Sequence, residues 1–317
     1  MPIVIRIQDG EAHDVPLDEI ADAPCEKGFA WVHIEGRQED AREIIGRFTH
    51  VPDAVADTMV AQESRPRCAI MGEAALINLR GPGEMLEGDR DALVSIRVWA
   101  QHGLVITVSY RKLGVLEDVC ERARKGGVVD PGDLIVALAT AITDVLDPEV
   151  ATMGDCIDDI ESALDLANAA QSRQRVAQTR SAAIAYRRFI VPQRQALERL
   201  SLARVPWLEE DDHLHLQEAT DRYSRMGEEL EAVRERAALA HEELTDLRAE
   251  QMNQRALVLS IVALVFLPLT FLTGLLGMNV AGIPFAHESW AFWGVAGVCV
   301  AIAVGVTGWF VWKHWVE

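Results

Sequence analysis

The chain is 317 residues long, with 30 Lys and Arg against 49 Asp and Glu and a net charge of -19. That balance argues against nucleic acid as a partner, because phosphate backbones are held by an excess of Lys and Arg. Five cysteines, Cys25, Cys68, Cys120, Cys156 and Cys299, show no CxxC spacing, so they are expected as reduced thiols and not as a zinc cage or disulfide frame.

From Met1 to about Tyr110, strand-like and helix-like runs alternate. Ile3 to Ile7, Phe29 to Ile34, Ala74 to Leu79, Leu93 to Ala100 and Leu104 to Tyr110 are predicted strands, bounded by Gly, Pro and charged turns. Glu39 to Phe48 and Asp53 to Met59 are predicted short helices. The opening residues, MPIVIRIQDGEAHDVPLDE, lack a basic segment followed by a long apolar run, so no signal peptide is expected. From Leu113 to about Val205 the pattern is helical, with Pro131, Pro148 and Pro192 expected to start or break helices. Residues 1–205 are thus expected to form an α/β layer followed by a helical layer.

Pro206 closes that part. From Asp211 to Met278 there is one proline, Pro268, and a spacing of three and four residues picks out Tyr223, Met226, Leu230, Val233, Ala237, Ala240, Leu244 and Leu247. The same phase continues through Gln251 and Gln254 to Val258, Ile261 and Val265. One helix of about 68 residues, on the order of 100 Å at about 1.5 Å per residue, is predicted to join a stalk (206–255) to a first membrane span (256–279).

Ala256 to Leu276 and Ala291 to Trp312 are uncharged apolar runs of 21 and 22 residues. Each reaches about 32 Å as a helix, enough to cross a hydrocarbon core. A loop (280–290) precedes the second span (291–313) and a short tail (314–317). Trp290, Trp293, Trp309, Trp312 and Trp315 cluster near the ends of the second run, where amphipathic rings favour the headgroup layer. Arg248 and Arg255 precede the first span, Lys313 and His314 follow the second, and the stretch from Gly277 to Ser289 has no Lys or Arg. Both termini are therefore expected in the cytoplasm. Only Lys313, Glu288 and Glu317 lie beyond residue 255, which leaves 29 basic and 47 acidic residues in the cytoplasmic part. Solubility alone accounts for such a balance; a field that gathers cations near a pore mouth is the other explanation.

A second row runs along the long helix. Asn253, Ala256, Ser260, Ala263, Leu267, Thr270 and Gly274 are mostly small or weakly polar, and the same face continues backwards through Asp246, Glu242, Glu235 and Glu228. Small residues in a span serve tight helix contact equally well, but continuity with a line of carboxylates favours a water-filled cation path. Two spans cannot enclose such a path, because backbone groups in lipid must be satisfied within helices and a pore needs several of them. The protein is therefore expected to be an oligomer.

Phe266-Leu267-Pro268-Leu269-Thr270-Phe271, followed by Gly274-Leu275-Leu276-Gly277-Met278-Asn279, resembles the end of the first transmembrane helix in the CorA family of divalent metal ion transporters. The continuation Val280-Ala281-Gly282-Ile283-Pro284 is similar to the zinc transporter branch, ZntB. So are Ser64-Arg65-Pro66-Arg67-Cys68, Leu79-Arg80-Gly81 and Val94-Ser95-Ile96-Arg97-Val98-Trp99. The resemblance implies an α+β membrane protein of the bacterial inner membrane: a funnel-shaped homopentamer with an N-terminal cytoplasmic α/β domain, a pore-lining stalk helix that continues into the first of two spans, and an outer ring of second spans. It implies no enzyme activity and no cofactor, with Zn²⁺ as the transported ion.

Gly277, Met278 and Asn279 would form the pore entrance, where neutral oxygens can hold hydrated Zn²⁺ or Mg²⁺ without stripping its water. Glu228, Glu235, Glu242 and Asp246 would supply cytoplasmic pore acids. Pro268 is a candidate kink. His213 and His215 are imidazoles of the kind Zn²⁺ takes, but i, i+2 spacing points them apart on a helix. His287 and Glu288 are the titratable side chains of the loop. Branch members are associated with proton coupling, whereas the first span has no titratable residue, so a passive path also stays open. A magnesium channel of the same family and a membrane-anchored sensor are the alternatives.

Overall fold

The structure is a computed structural model that describes residues 2–20, 25, 27–36, 38–61, 65–83, 93–163, 169–278, 283, 285 and 288–316. The chain divides into two compact units, Met1–Leu164 with Ala170–His241, and Asp165–Ala169 with Glu242–Glu317.

The first unit is built on a seven-stranded sheet of β1 (Ile3–Gln8), β2 (Glu11–Asp14), β3 (Phe29–Glu35), β4 (Arg67–Met71), β5 (Ala74–Pro82), β6 (Leu93–Gln101) and β7 (Leu104–Ser109), in the order β2-β1-β3-β7-β6-β5-β4. Only β3 and β7 pair in parallel; the other neighbours are antiparallel. The five strands expected from sequence are the inner five. The two that were not expected, β2 and β4, are the edges, and the reason is physical: an edge strand buries little, so its sequence lacks the apolar signal of a central strand. All four residues of Glu11–Asp14 are exposed or half-exposed.

Helices α1 (Gln38–Ile45) and α2 (Asp53–Met59) lie over one sheet face, where Ala41, Ile45, Val55 and Met59 share a core with Val32, Leu76, Trp99 and Ile106. The first helix ends three residues short of the expected Phe48, whose side chain is nonetheless in that core. In the centre of the sheet, Trp31 Nε1 donates to Thr107 Oγ1 at 2.9 Å, and His33 Nδ1 meets the same hydroxyl at 2.9 Å. Burial lowers the His33 pKa to about 4, so this ring is neutral at physiological pH.

After α3 (Leu116–Arg124) come three long helices, α4 (Pro131–Ser162), α5 (Ala169–Ser201) and α6 (Glu210–Leu276). Close approach of α4 to the sheet depends on Gly81, where a Cβ would come within 2.8 Å of Ile142. Arg222 of α6 bonds Asp144 at 2.7 Å and Asp147 at 2.6 Å on α4, and fourteen residues on Arg236 grips Asp158 and Glu161. Residue numbers rise together along both helices, so α4 and α6 run parallel. On α5 they run the other way: Tyr186 donates to Glu149 at 2.5 Å, and seven residues earlier Thr179 donates to Cys156 Sγ at 3.3 Å. The predicted seam of α6 is what this bundle buries, for Tyr223, Met226, Leu230, Val233, Ala237 and Ala240 are all in the core; in the second unit Leu244 is buried and Leu247 half-exposed. Each large apolar member contributes about 1.5–3 kcal/mol by leaving water.

Two expectations need correction. Pro131 starts α4 as expected, but Pro148 and Pro192 lie inside α4 and α5 and break neither. A proline removes one backbone bond of its helix; here the surrounding packing, which buries Leu146, Val150, Ile190 and Gln193, outweighs that loss. Likewise α6 passes Pro268 without ending.

Gln193 ties the layers together. Its Oε1 accepts the Arg80 backbone N–H at 2.6 Å, and its Nε2 donates to the Arg80 carbonyl at 3.1 Å and the Tyr223 hydroxyl at 2.5 Å. Gln193→Ala should strand these buried groups and lower unfolding stability by about 2–3 kcal/mol. Chemical denaturation of detergent-solubilised protein measures this, and a loss under about 0.5 kcal/mol would mean that water replaces the side chain.

Candidate functional site

The acidic row of α6 has no partner in the bundle. Glu228, Glu235, Glu242 and Asp246 are all exposed, and among the described residues no ion pair engages them. The reason is helical phase: the seam that packs on α4 and α5 takes one side of α6, and the acids follow the other. Arg222 and Arg236 pair with α4 acids and Arg187 with Glu231, so these three do not answer the row.

In the second unit neither apolar stretch is buried within the chain, so each requires lipid or further helices as its surroundings. Half-burial follows one row on each span. On α6 it takes Ile261, Val265, Pro268, Leu269, Leu272 and Leu276; on α7 (Ala291–Val316) it takes Ala291, Val295, Ala296, Cys299, Ile302, Ala303, Val306 and Phe310. This is the pattern of two helices sheltering one another along their length. At 100° per residue, the row Asn253, Ala256, Ser260, Ala263, Leu267, Thr270 and Gly274 falls on the opposite side of α6, and every member is exposed. Ser260 Oγ donates to the Ala256 carbonyl at 2.9 Å and Thr270 Oγ1 to the Phe266 carbonyl at 2.8 Å. The donors are thereby satisfied within the helix, while each hydroxyl oxygen keeps lone pairs facing outward.

At the end of the span the Gly277 N–H donates to the Thr273 carbonyl at 2.9 Å. A side chain at Gly277 would bring Cβ within 2.9 Å of that carbonyl, so the last turn closes tightly only with glycine. Gly277 and Met278 are exposed. Asn279 and His287 lie outside the described residues, and Glu288 is exposed. Trp290, Trp293, Trp309 and Trp312 are all more than half exposed, as belt residues are before lipid surrounds them.

The two histidines do not converge. His213 Nδ1 donates to the Ser201 carbonyl at 2.6 Å, and His215 lies 3.8 Å from the Asp211 carboxylate. A group that sequence reasoning missed is Asp130, Asp133 and Asp212, whose carboxylate oxygens lie within 4.8 Å of one another. Asp130 accepts the Asp133 N–H at 2.9 Å, Asp133 the Val129 N–H at 2.9 Å and Asp212 the Glu209 N–H at 2.8 Å. These are caps on the starts of α4 and α6, and both helix dipoles favour negative charge there. Gly132 permits the approach, since a Cβ there would come within 2.0 Å of Asp212. Local capping patterns are legible in sequence; that the two helix starts meet is not.

Known proteins match the chain along nearly its whole length. Residues 26–313 match the sequence model of the family described as CorA-like Mg2+ transporter protein. The zinc transport protein ZntB of Yersinia enterocolitica is 31% identical over 296 residues, covering 93% of this chain and 89% of its own. Among solved structures, full-length CmaX superposes with a TM-score of 0.78 at 27% identity, covering 98% of this chain and 96% of that one. The CorA magnesium transporter of Methanocaldococcus jannaschii has the same fold, with a TM-score of 0.78 at 17% identity over 98% of this chain and 97% of that one.

Asp212 gives the first unit a pH signature. Burial, reinforced by the negative charges of Asp130, Asp133 and Glu209, raises its pKa from 3.8 to about 7. Between those values the folded chain holds a proton that the unfolded chain has released, so stability is full at low pH and declines as pH rises through about 7. Asp212→Asn keeps an acceptor for the Glu209 N–H without titrating. Between pH 5 and pH 8, with EDTA present, unfolding free energy from chemical denaturation should fall further for the wild type than for the variant, by about 1 kcal/mol or more; equal declines would exclude Asp212 as the source.

Proposed function

The chain belongs to the CorA-like Mg2+ transporter family, and from that premise we propose that it is a divalent metal cation transporter that moves Zn²⁺ across the bacterial inner membrane through the central pore of a homopentamer. The observation that carries this is the division of labour on α6. One face packs on the chain's own helices, and the opposite face presents small and weakly polar residues that continue into unpaired carboxylates. A membrane anchor needs only lipid-facing residues. A row of this kind has a use where copies of α6 surround water, and five copies of a two-span chain supply the walls that one copy lacks.

In this arrangement Gly277, Met278 and Asn279 form the outer entrance. Neutral carbonyl and amide oxygens there hold the cation through its water shell, so the ion is recognised without full dehydration. The hydroxyls of Ser260 and Thr270 offer further neutral acceptors along the row. Glu228, Glu235, Glu242 and Asp246 line the cytoplasmic half and draw the ion inward by their field. Both termini face the cytoplasm. The ion is cargo, and neither a cofactor nor a catalytic step is required.

Zinc is favoured by the ZntB relative and by the Gly282-Ile283-Pro284 loop; Mg²⁺, which names the family model, is the second reading. Uptake of Zn²⁺ and of Mg²⁺ into proteoliposomes, with and without a pH gradient at fixed membrane potential, separates them. Zn²⁺ uptake enhanced by the gradient is expected for a coupled zinc transporter, whereas pH-independent Mg²⁺ flux would assign the chain to the channels.

Asn279→Ala should abolish selective uptake and leave the pentamer intact on size-exclusion chromatography with light scattering; wild-type selectivity would remove Asn279 from the entrance. Ser260→Leu combined with Thr270→Leu should block flux. Unchanged flux would put the pore on another face of α6.

A further inference from the structure

Within its span α6 has three faces. One is the half-buried row shared with α7, and another is the small, weakly polar row. Counted at about 100° per residue, Arg255, Leu259, Val262 and Phe266 make the third, and all four are exposed. Below Arg255 this face is large and apolar where the second is small, so it suits hydrocarbon and not water.

The stalk end of the third face is cationic. Arg255 is the last charged residue before the uncharged run that starts at Ala256, and Arg248, two turns earlier, lies within about 20° of it around the helix. Both are exposed, and among the described residues neither side chain has a hydrogen bond or an ion pair. Asp246 and Glu250, the nearest carboxylates along α6, are turned at least about 140° away from both arginines, and Glu250 accepts from Gln254 Nε2 at 3.3 Å. An open groove of about 590 Å³ lies at this junction, lined by Gln251, Gln254, Arg255, Val258 and Leu259. It is polar toward the stalk and apolar toward the span.

We infer that this groove is a binding site for an anionic phospholipid of the leaflet in which the first span starts. Arg255 holds the phosphate and Gln251 donates a side-chain amide to it, Arg248 adds charge from about 10 Å further along the helix, and an acyl chain lies along Leu259, Val262 and Phe266. A guanidinium meets two phosphate oxygens at once, and such charge-assisted bonds are the strong ones. One residue outside the apolar run is also the depth at which headgroups lie. A soluble phosphate would answer the arginine and leave the apolar strip in water. A zwitterionic lipid would cover the strip but brings an ammonium that already answers its own phosphate, and a neighbouring helix would cover the strip without answering Arg255. The site depends on the spans and not on which ion is carried, so its test is separate from that of transport.

The test reads the melting temperature of the full-length protein in an uncharged detergent, at matched ionic strength, as phosphatidylglycerol, phosphatidylcholine or sodium phosphate is added. Phosphatidylglycerol should raise the melting temperature of the wild type saturably, by about 2 °C or more, as a ligand of the folded state does; the other two should not. Arg255→Gln removes an exposed charge that makes no contact in the fold, so this variant should melt like the wild type without lipid and lose most of the response. Arg225→Gln, which removes another exposed arginine of α6 thirty residues away, should respond like the wild type. Equal responses to the two lipids, a full response in Arg255→Gln, or a loss as large in Arg225→Gln would each overturn the site. A full response to sodium phosphate would replace the lipid by a soluble anion, and no response to any of the three would leave the strip to a helix of a second copy; either result overturns the proposal.

Discussion

Everything else in the structure depends on α6 holding one helical backbone from Glu210 to Leu276, because that single element passes from a water-soluble bundle into a stretch made for hydrocarbon. In the bundle an exposed backbone group can bond to water. In hydrocarbon it cannot, and an unbroken ladder of internal hydrogen bonds is the only inexpensive way across. The helix must also keep its phase, since a change of phase would turn the packed seam and the polar row away from their neighbours. Pro268 is the one place where the ladder loses a donor, and it sits in the half-buried row of the span.

The first unit holds its share of α6 by directional contacts laid over apolar packing. Arg222 and Arg236 fix the register of α6 against α4, four turns apart, while Gln193 joins α5, α6 and β5 at one point. Apolar burial supplies most of the stability. It does not by itself choose between neighbouring registers, and bonds of defined length do. The same principle orders the sheet, where a threonine hydroxyl serves a tryptophan and a histidine that would otherwise be stranded in the core.

Charge is distributed by the same logic. Carboxylates near arginines of the bundle are consumed in pairs, and those at the starts of α4 and α6 are consumed as caps. The acidic row on the open face of α6 has no ion-pair partner among the described residues.

By itself the sequence determined the spans, the long helix and the five inner strands, because each is a local periodic pattern: unbroken apolar length, three-and-four spacing, or alternation. It also determined the composition of the polar row on α6, since phase along a helix is a matter of counting. Tertiary structure alone decided the rest. The edge strands β2 and β4 exist because a neighbouring strand offers bonds that their own residues do not advertise, and Pro148 and Pro192 remain within helices because packing around them outweighs one missing bond. That the small row lies opposite the face shared with α7 and that Asp130 and Asp212 cap helices whose starts touch are facts about residues far apart in the chain. Such proximities are set by three-dimensional packing and by the burial of polar groups, which no local pattern encodes.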